Sequence, residues 1–544
     1  MDNLWGIFEG DSPLLQSFGK YGYKIYDDFD LIQMHFHLIA AALFPIFIGA
    51  HSSLRRPPSA TKGTKDAAEQ ADEDDDIAQE PTVEGLTPSD AILFPILAGV
   101  TLAGLYFIIK WLEDPAILNK ILTWYFSILG VFGVGKLLAD SFNVITTFVF
   151  PSVWSTQTEK YEFDSAAQKQ VKVESNGPGH SSHVDKSNPL PGVLSKLPLP
   201  QAMRKTLWSL RALLRNHWIF RAHVHGIFSA KTKTTLNDVV GMMLGLAAVL
   251  VYNFNGKAWW LTNLMGFAFS YGTLQLLSPT TFWTGSIVLA GLFVYDIVMV
   301  FYTPLMVTVA TSLEVPIKLV FPGPKRGSML GLGDVVLPGI MMALALRFDL
   351  YLYYLRQNKS SAATPGQKSK APVYVQSTGV WGERFWTSSA SNAPKTIADG
   401  GRFPKIYFTA SVIGYCVGMI ATLVVLRVFN HAQPALLYLV PGVLVSLWGT
   451  AAVRGEINLM WGYTEDGSID VETTDADEKK EKTTKGQAKD GAGTESSKAE
   501  AEKESASKKI KAKEKDGEHA HHVFLFSLSE PKSRKASDLE TLES

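Results

Sequence analysis

The sequence predicts an all-α polytopic membrane protein, and three observations support this prediction. Of its 544 residues, 46% are hydrophobic and only 19% are charged, below the roughly 25% of a soluble domain. The charges are concentrated in a few stretches, and the long segments between them are almost uncharged. The 13 Trp, 18 Tyr and 30 Phe suit the aromatic belts at the two membrane–water interfaces. A uniform soluble domain and a wholly disordered chain are therefore excluded.

The predicted spans follow from the length that a bilayer requires. A helix needs about 20 mostly apolar residues to cross the hydrocarbon core. Nine segments satisfy this, although polar residues make the first turns of the first segment weaker. The segments are roughly 31–51, 90–111, 119–139, 235–254, 257–277, 283–309, 329–353, 405–427 and 434–453.

The basic residues of the loops predict the orientation. Residues 1–30 lack a basic n-region, so we expect the first span to remain as a signal anchor. Lys and Arg are concentrated after the first, third and seventh spans and are sparse in the alternate loops. The positive-inside rule then predicts a luminal N-terminus and a cytosolic C-terminus. Asn358 belongs to the only Asn-x-Ser/Thr sequon, and a glycan on this cytosolic residue would contradict the prediction.

The segments outside the spans divide the chain into five predicted regions. They are a luminal N-terminus at 1–30, three spans at 31–164 with an acidic cytosolic loop at 52–89, an inserted cytosolic loop at 165–234, six spans at 235–460 and a disordered, charged cytosolic tail at 461–544. Residues 57–84, 163–200 and 472–518 have the composition of disordered segments.

A basic and aromatic stretch at 203–228 belongs to the inserted loop and has two interpretations. It could lie on the anionic cytosolic leaflet as an amphipathic helix. It could equally be a short soluble helix that packs on the loop. The sequence leaves both interpretations open.

Two carboxylates lie at bilayer depth, Asp296 in the sixth span and Asp334 in the seventh. A charge there is costly, so each is a hypothesis of function. Neither has a Lys or Arg beside it in its own helix. Adjacent antiparallel helices can bring the two side chains face to face. Two carboxyl groups at close range cannot both ionise, so the pair would hold one proton between them.

Such a pair permits three interpretations. In an aspartic protease the ionised carboxylate takes a proton from water, and the protonated one donates to the peptide carbonyl and then to the leaving nitrogen. The same two groups could carry cations or protons in a transporter or channel. They could also form a structural polar contact. Other membrane charges have simpler explanations: Lys136 and Asp140 should form a pair four residues apart, and Arg347 and Asp349 should snorkel near the end of their span.

Three short motifs favour the first interpretation. They are Tyr295-Asp296, Gly331-Leu332-Gly333-Asp334 and Gln433-Pro434-Ala435-Leu436. They resemble the Tyr-Asp, Gly-x-Gly-Asp and Pro-Ala-Leu motifs of the intramembrane aspartic proteases, the presenilin and signal peptide peptidase superfamily. All three occur in the expected order and in separate spans. The sequences of residues 306–310, 316–322 and 431–441 most resemble the signal peptide peptidase branch. The resemblance covers roughly 31–164 and 235–460.

The resemblance implies a presenilin-like arrangement of about nine helices in the endoplasmic reticulum membrane. It implies an endopeptidase in which Asp296 and Asp334 are catalytic and no cofactor is needed. The implied substrates are remnant signal peptides and type II membrane anchors. The insert, the loop at 357–404 and the tail depart from the pattern, and the C-terminus lacks a dilysine signal.

The remaining motif residues are predicted to bind or position the substrate. Gly331 and Gly333, on either side of Leu332, free the backbone just before Asp334 for movement or close approach. Pro434 blocks helix continuation, so the backbone from Gln433 through Ala435 to Leu436 could be irregular beside a watery cavity. Helix packing by small residues and an ordinary proline at a helix start remain the alternatives. Tyr295 could orient a carboxyl group, although adjacent helical residues point in different directions.

Other activities lack support in the sequence. The chain has no His-Glu-x-x-His zinc-protease motif, one cysteine and no serine-protease motif of the rhomboid type. The histidines at 223–225 and 519–522 lie in a loop and a tail, and we predict no metal site. A net charge of −1 gives no reason to expect nucleic-acid binding. Expected partners are membrane peptides and lipid, with a homo-oligomer or a quality-control complex as further candidates. A transporter, an ion-leak channel and a quality-control scaffold remain as alternative functions.

Overall fold

The computed structural model describes fourteen parts of the chain. They are residues 29–61, 84–112, 115–156, 159–165, 168–173, 181–224, 228–313, 315–322, 328–362, 372, 374–388, 402–429, 433–465 and 524–529. Residues 1–28, most of the acidic loop and most of the tail lie outside this part.

Nine long helices occupy the positions of the nine predicted spans. They are α1 (Phe29–Ser52), α2 (Pro88–Leu112), α3 (Ala116–Val149), α5 (Leu236–Phe254), α6 (Trp259–Leu276), α7 (Phe282–Phe301), α9 (Leu332–Ala362), α11 (Ile406–Phe429) and α12 (Leu436–Arg454). Four shorter helices are α4 (Gln201–Arg215), α8 (Leu305–Ser312), α10 (Trp381–Trp386) and α13 (Ile457–Trp461). The predicted all-α, polytopic membrane architecture is confirmed.

Within the described residues, eight of the nine long helices have the length and apolarity to cross a bilayer, and α6 does not. This helix has 18 residues and carries the polar Asn263 and Gln275. Its last turns contact α1 and α3, since the Tyr271 hydroxyl lies 2.8 Å from Ser52 Oγ and donates to Asp140 Oδ2 at 2.6 Å. The C-terminal ends of α1 and α6 therefore lie beside the second half of α3, as expected if α6 is the fifth span.

The ends of several predicted spans differ from the structure. The sixth was predicted to reach residue 309, but α7 ends at Phe301 and a separate helix, α8, begins at Leu305. Pro304 between them cannot donate the backbone hydrogen bond that a continuous helix needs. The seventh was predicted to begin at 329, but residues 328–331 form a strand. The third continues ten residues beyond its predicted end at 139.

Eleven short strands form four small sheets. The strands are β1 (Glu84–Leu86), β2 (Val153–Ser155), β3 (Lys160–Asp164), β4 (Lys169–Val173), β5 (Ser181–Lys186), β6 (Trp218–Val224), β7 (Phe228–Thr234), β8 (Leu277–Pro279), β9 (Lys318–Phe321), β10 (Ser328–Gly331) and β11 (Phe524–Ser529). Strands β1 and β8 pair in parallel. The other sheets are antiparallel, with the orders β2-β3-β4-β5, β11-β6-β7 and β10-β9.

The prediction of disorder for residues 163–200 is wrong wherever the structure describes them. Strand β3 pairs with β2, β4 with β3 and β5 with β4, and the buried Gln170 accepts from the Trp154 indole at 3.2 Å. The stretch 203–228 is not one helix either, because α4 ends at Arg215 and β6 follows. Part of the tail predicted to be disordered forms β11, which pairs with β6 from about 300 residues away in the chain. Local composition could not predict that pairing, because its partner is distant.

Helix α9 lies at the centre of the bundle. In its most apolar stretch 89% of the residues are buried, against 33% or less in the other seven candidate spans. It packs against α1, α6, α7, α11 and α12. The least buried is α2, at 6%. The first residues of α9, Leu332 to Asp334, are less buried than the rest of the helix.

Two charges of α9 do not snorkel, contrary to the prediction. Arg347 and Asp349 are each only 4% exposed. Asp349 accepts from the backbone N–H groups of Tyr407 and Phe408, at 3.2 and 3.0 Å, at the start of α11. These groups have no partner within their own helix, so a carboxylate stabilises them. The predicted pair between Lys136 and Asp140 is confirmed at 2.8 Å.

Arg347 belongs to what we call the Glu465 cluster, formed by Arg55, Ser278, Arg347 and Glu465. The Arg347 guanidinium forms an ion pair with Glu465 and donates to Ser278 Oγ at 2.6 Å. Arg55 forms a second ion pair with Glu465 at 2.6 Å. The backbone N–H of Glu465 donates to Thr280 O at 3.0 Å. This bond extends the antiparallel β-bridge between Thr464, after α13, and Thr281, just before α7. The Glu465 cluster therefore links the segment after α13 to the central helix α9.

Candidate active site

Asp296 lies in the fourth turn of α7 and is only 3% exposed. Its Oδ2 accepts the backbone N–H of Leu436 at 3.0 Å. Leu436 is the first residue of α12, and the preceding Ala435 provides no side-chain cap. A helix start leaves N–H groups without an acceptor, and a carboxylate satisfies one of them. The structure thus brings the first and third motifs together through one hydrogen bond.

The start of α12 is arranged so that this N–H remains available. The first turn is tight, with Leu437 N bonded to Pro434 O at 3.3 Å and Tyr438 N to Ala435 O at 3.2 Å. Residues 433 and 434 have no regular secondary structure, in agreement with the predicted irregular backbone before the helix. The side chain of Gln433 is half-buried at this border, without a described hydrogen bond to either aspartate.

Asp334 is the third residue of α9, directly after strand β10. It is partly exposed, and its carboxyl group is within electrostatic reach of Asp296. The two carboxyl groups are therefore close enough to influence each other electrostatically. One carboxyl group is buried and hydrogen-bonded, while its neighbour is more accessible.

The residues before Asp334 leave open space around it. Gly331 and Gly333 are exposed, and a Cβ atom at Gly331 would lie 3.6 Å from Asp334 Oδ2. Any side chain at Gly331 would therefore contact the carboxylate. Leu332 packs beside Gly266 of α6. Among the described residues that are not its chain neighbours, only Asp334 would lie within 4 Å of a Cβ atom at Gly331.

A short hairpin holds the start of α9 in place. Strands β9 and β10 pair from Lys318 with Gly331 to Phe321 with Ser328. Asn263 of α6 makes two hydrogen bonds to the backbone of Val320, at 2.7 and 2.9 Å, as a neighbouring strand would. The polar Asn263 therefore has a structural reason to lie inside a membrane helix.

Tyr295 lies within electrostatic reach of its neighbour Asp296. Its ring packs beside Gly99 of α2. The described residues include no hydrogen bond from its hydroxyl to Asp296 or Asp334. Adjacent residues of a helix point in different directions, which accounts for this placement.

Sequence reasoning missed Tyr415 of α11. Its side chain is completely buried, and its hydroxyl donates to the backbone oxygen of Asp334 at 3.2 Å. Gly414 and Gly418 beside it allow α11 to lie directly against α12, since a Cβ at Gly414 would be 2.2 Å from Gly442 O. The Gly-x-x-x-Gly spacing in an apolar helix was the available signal for this close packing.

The site can perform acid–base chemistry without a metal. Two interacting carboxyl groups in a site with little water share a proton, and the charged member can activate water while the other donates. Among the described residues no group of three or more His, Cys, Asp or Glu side chains could hold a metal ion. Of the histidines considered for metal binding, His225 and the three in the tail lie outside the described residues.

Comparison with known proteins decides the family. The sequence model of the family described as signal peptide peptidase matches residues 78–467, well over half of the chain. The chain belongs to the signal peptide peptidase family. It is 29% identical to the human protein named signal peptide peptidase over 442 residues, covering 80% of this chain and 84% of the relative. The mouse protein of that name is 29% identical over 462 residues, covering 83% and 88%. Intramembrane protease 2 of Caenorhabditis elegans is 33% identical over 244 residues, covering 43% and 44%.

Membership in the signal peptide peptidase family establishes the general activity. The protein is an intramembrane aspartic protease, a multi-pass membrane protein that hydrolyses peptide bonds of membrane-embedded substrates. The transporter, channel and scaffold interpretations are not favoured. The match begins at residue 78 and so leaves out α1, although α1 packs against the central helix α9.

Proposed function

We propose that Asp296 and Asp334 are the catalytic pair of this protease and share one proton. The observation that carries the proposal is their mutual proximity, with Asp296 held by the Leu436 N–H and Asp334 open on its glycine side. The ionised member takes a proton from water as the water attacks the peptide carbonyl. The protonated member donates to the carbonyl oxygen and then to the leaving nitrogen.

The other motif residues position these groups and the substrate. The Pro434–Leu436 backbone fixes Asp296, and the exposed Gly331 and Gly333 admit an unwound substrate backbone beside Asp334. Tyr295 has a lesser role, as support against α2. A narrow apolar crevice between α2, α7 and α9 marks the side of lateral entry, and it includes Leu337, one turn beyond Asp334. The low burial of α2 favours entry there.

The substrates are remnant signal peptides and type II membrane anchors, cleaved in the endoplasmic reticulum membrane. The names of the human and mouse relatives support the first class. The N-terminus is luminal and the C-terminus cytosolic. Asn358 Nδ2 donates to Ser59 O at 2.9 Å, so the sequon should face the same compartment as the end of α1, which is the cytosol in this orientation. Engineered sequons in residues 1–30 should be glycosylated while Asn358 is not; the reverse pattern would overturn this orientation.

Cleavage of a signal-peptide reporter by the purified protein in nanodiscs tests the catalytic pair. Asn keeps the shape of Asp but cannot exchange the proton, so Asp296→Asn and Asp334→Asn should yield no product. Asp140→Asn is the matched control, because Asp140 is a carboxylate in a membrane helix that pairs with Lys136 and Tyr271. It should cleave like the wild type. Product from either of the first two variants would refute the two-carboxylate mechanism.

A further inference from the structure

Helix α4 of the insert turns its arginines inward. Arg204 donates to Ser187 Oγ at 2.8 Å, and Arg211, itself only 2% exposed, donates to Pro151 O at 2.8 Å. Arg215 donates to Phe150 O at 2.8 Å and pairs with Glu383 of α10 at 3.1 Å. The guanidinium groups that could attract a lipid headgroup are therefore used to hold the helix on the protein.

The opposite face of α4 carries an apolar row. Met203, Leu210 and Leu213 are 52%, 41% and 44% exposed. Their spacing of seven and three residues places them along one side of the helix. A helix on the surface of a soluble domain normally directs charge outward and aliphatic groups inward. The row on α4 therefore suits surroundings that are not purely aqueous.

The position of α4 indicates what those surroundings are. Phe150 and Pro151, which accept from its arginines, directly follow the last residue of α3. Helix α4 also contacts α5, the next membrane helix. The last turns of α3 still expose Ile145, Phe148 and Val149, so the lipid-facing surface continues to this end of the helix. The apolar row is thus continuous with the boundary of the bilayer.

We propose that α4 is an interfacial helix, with Met203, Leu210 and Leu213 inserted between the lipid headgroups of the leaflet that surrounds α3 and α5. A helix that lies in the interface buries its apolar face at the headgroup–acyl boundary. Since the three arginines bind protein atoms and Lys205 is the one basic side chain of α4 left exposed, burial of apolar surface contributes more to the contact than charge does. The insert thereby fixes the depth at which the ends of α3 and α5 leave the bilayer.

Quenching by brominated lipid tests this contact in the full-length protein. Cys416 is the single cysteine, so Cys416→Ala gives a background for one bimane label at a time. Labels at Leu210→Cys and Leu213→Cys should be quenched about twofold or more when the nanodisc lipids are brominated at the acyl chains near the headgroups. Ala212→Cys is the matched control, because Ala212 is exposed on the same helix but outside the row. It should show little quenching.

Each alternative environment of the apolar row on α4 gives a different result. Equal, weak quenching at positions 210, 212 and 213 would place the row in water and overturn the proposal. Strong quenching only in nanodiscs with anionic lipid would show attachment by charge and would overturn it as well. Label-to-label energy transfer between two copies, without lipid quenching, would show a protein interface instead. Quenching that is the same in neutral and anionic nanodiscs, confined to 210 and 213, supports the proposal.

Discussion

Substitution of Glu465 by Gln should destabilise the protein far more than loss of an ordinary surface ion pair. Glu465 has a side chain only 6% exposed and balances both Arg347, at 4%, and Arg55. The Gln side chain keeps the shape but leaves the buried Arg347 charge without a counter-charge. Breaking a buried pair in this way costs about 3–5 kcal/mol.

The expected change in melting temperature follows from that free energy. A domain of 150–250 residues shifts by about 2–4 °C per kcal/mol and a longer chain by less, so Glu465→Gln should lower the melting temperature by several degrees, at most about 10 °C. The assay is tryptophan fluorescence during heating in nanodiscs at one fixed scan rate. Glu159→Gln is the control, since its pair with Lys172 has 37% and 29% of the two side chains exposed. An exposed pair contributes about 0–1 kcal/mol, so the control should melt within a few degrees of the wild type.

The difference between wild type and Glu465→Gln should depend on pH. Burial by itself would raise the pKa of Glu465, but the positive charges of Arg347 and Arg55 outweigh burial and hold the pKa below its ordinary value. A depressed carboxyl pKa contributes stability that is fully present above the unfolded pKa, about 4.3, and is lost as pH falls through the folded pKa. The difference should thus be constant at neutral pH and shrink in acid. A drop no larger than that of Glu159→Gln at pH 7 would refute the cluster as a source of stability.

Three further results are expected. Tyr415→Phe removes the hydrogen bond to Asp334 O, worth about 0.5–1.5 kcal/mol, and should slow reporter cleavage up to about tenfold with unchanged substrate binding. An unchanged cleavage rate would contradict the positioning role of Tyr415. Gly414→Ala should lower the free energy of unfolding by about 1–3 kcal/mol through a clash with Gly442 O, whereas Gly449→Ala, where a Cβ meets nothing within 4 Å, should not lower it. Equal melting temperatures of the two variants would count against close α11–α12 packing. Deletion of 524–529 should speed hydrogen exchange of the β6 amides that β11 protects, without effect on exchange in α9; unchanged β6 protection would exclude the pairing.

Much of the candidate site could be predicted from the sequence because each part has a local signal. Asp296 and Asp334 stand out as charges in apolar helices, and Pro434 marks the start of α12 wherever it folds. Tyr415 had no such signal, because a buried tyrosine in a span is ordinary until its acceptor is known. The role of the Leu436 N–H was equally hidden, since it depends on an acceptor 140 residues earlier in the chain.

Predictions from composition failed where distant segments meet. The insert is rich in residues typical of loops, yet β2 to β5 form a sheet around the buried Gln170. Arg347 and Asp349 looked like charges near a span end that could reach water. Their partners, Glu465 and the start of α11, come from other parts of the chain and make burial favourable.

The sequence by itself determined the membrane class, the number and order of the long helices and the two carboxylates, because a bilayer imposes length and apolarity on each segment separately. Only the tertiary structure decided that α9 is the buried centre, that the α12 N-terminus holds Asp296 and that α4 directs its arginines inward. These features arise from contacts between segments far apart in the chain. A local pattern fixes which side chains are available for such contacts, but not which of them meet.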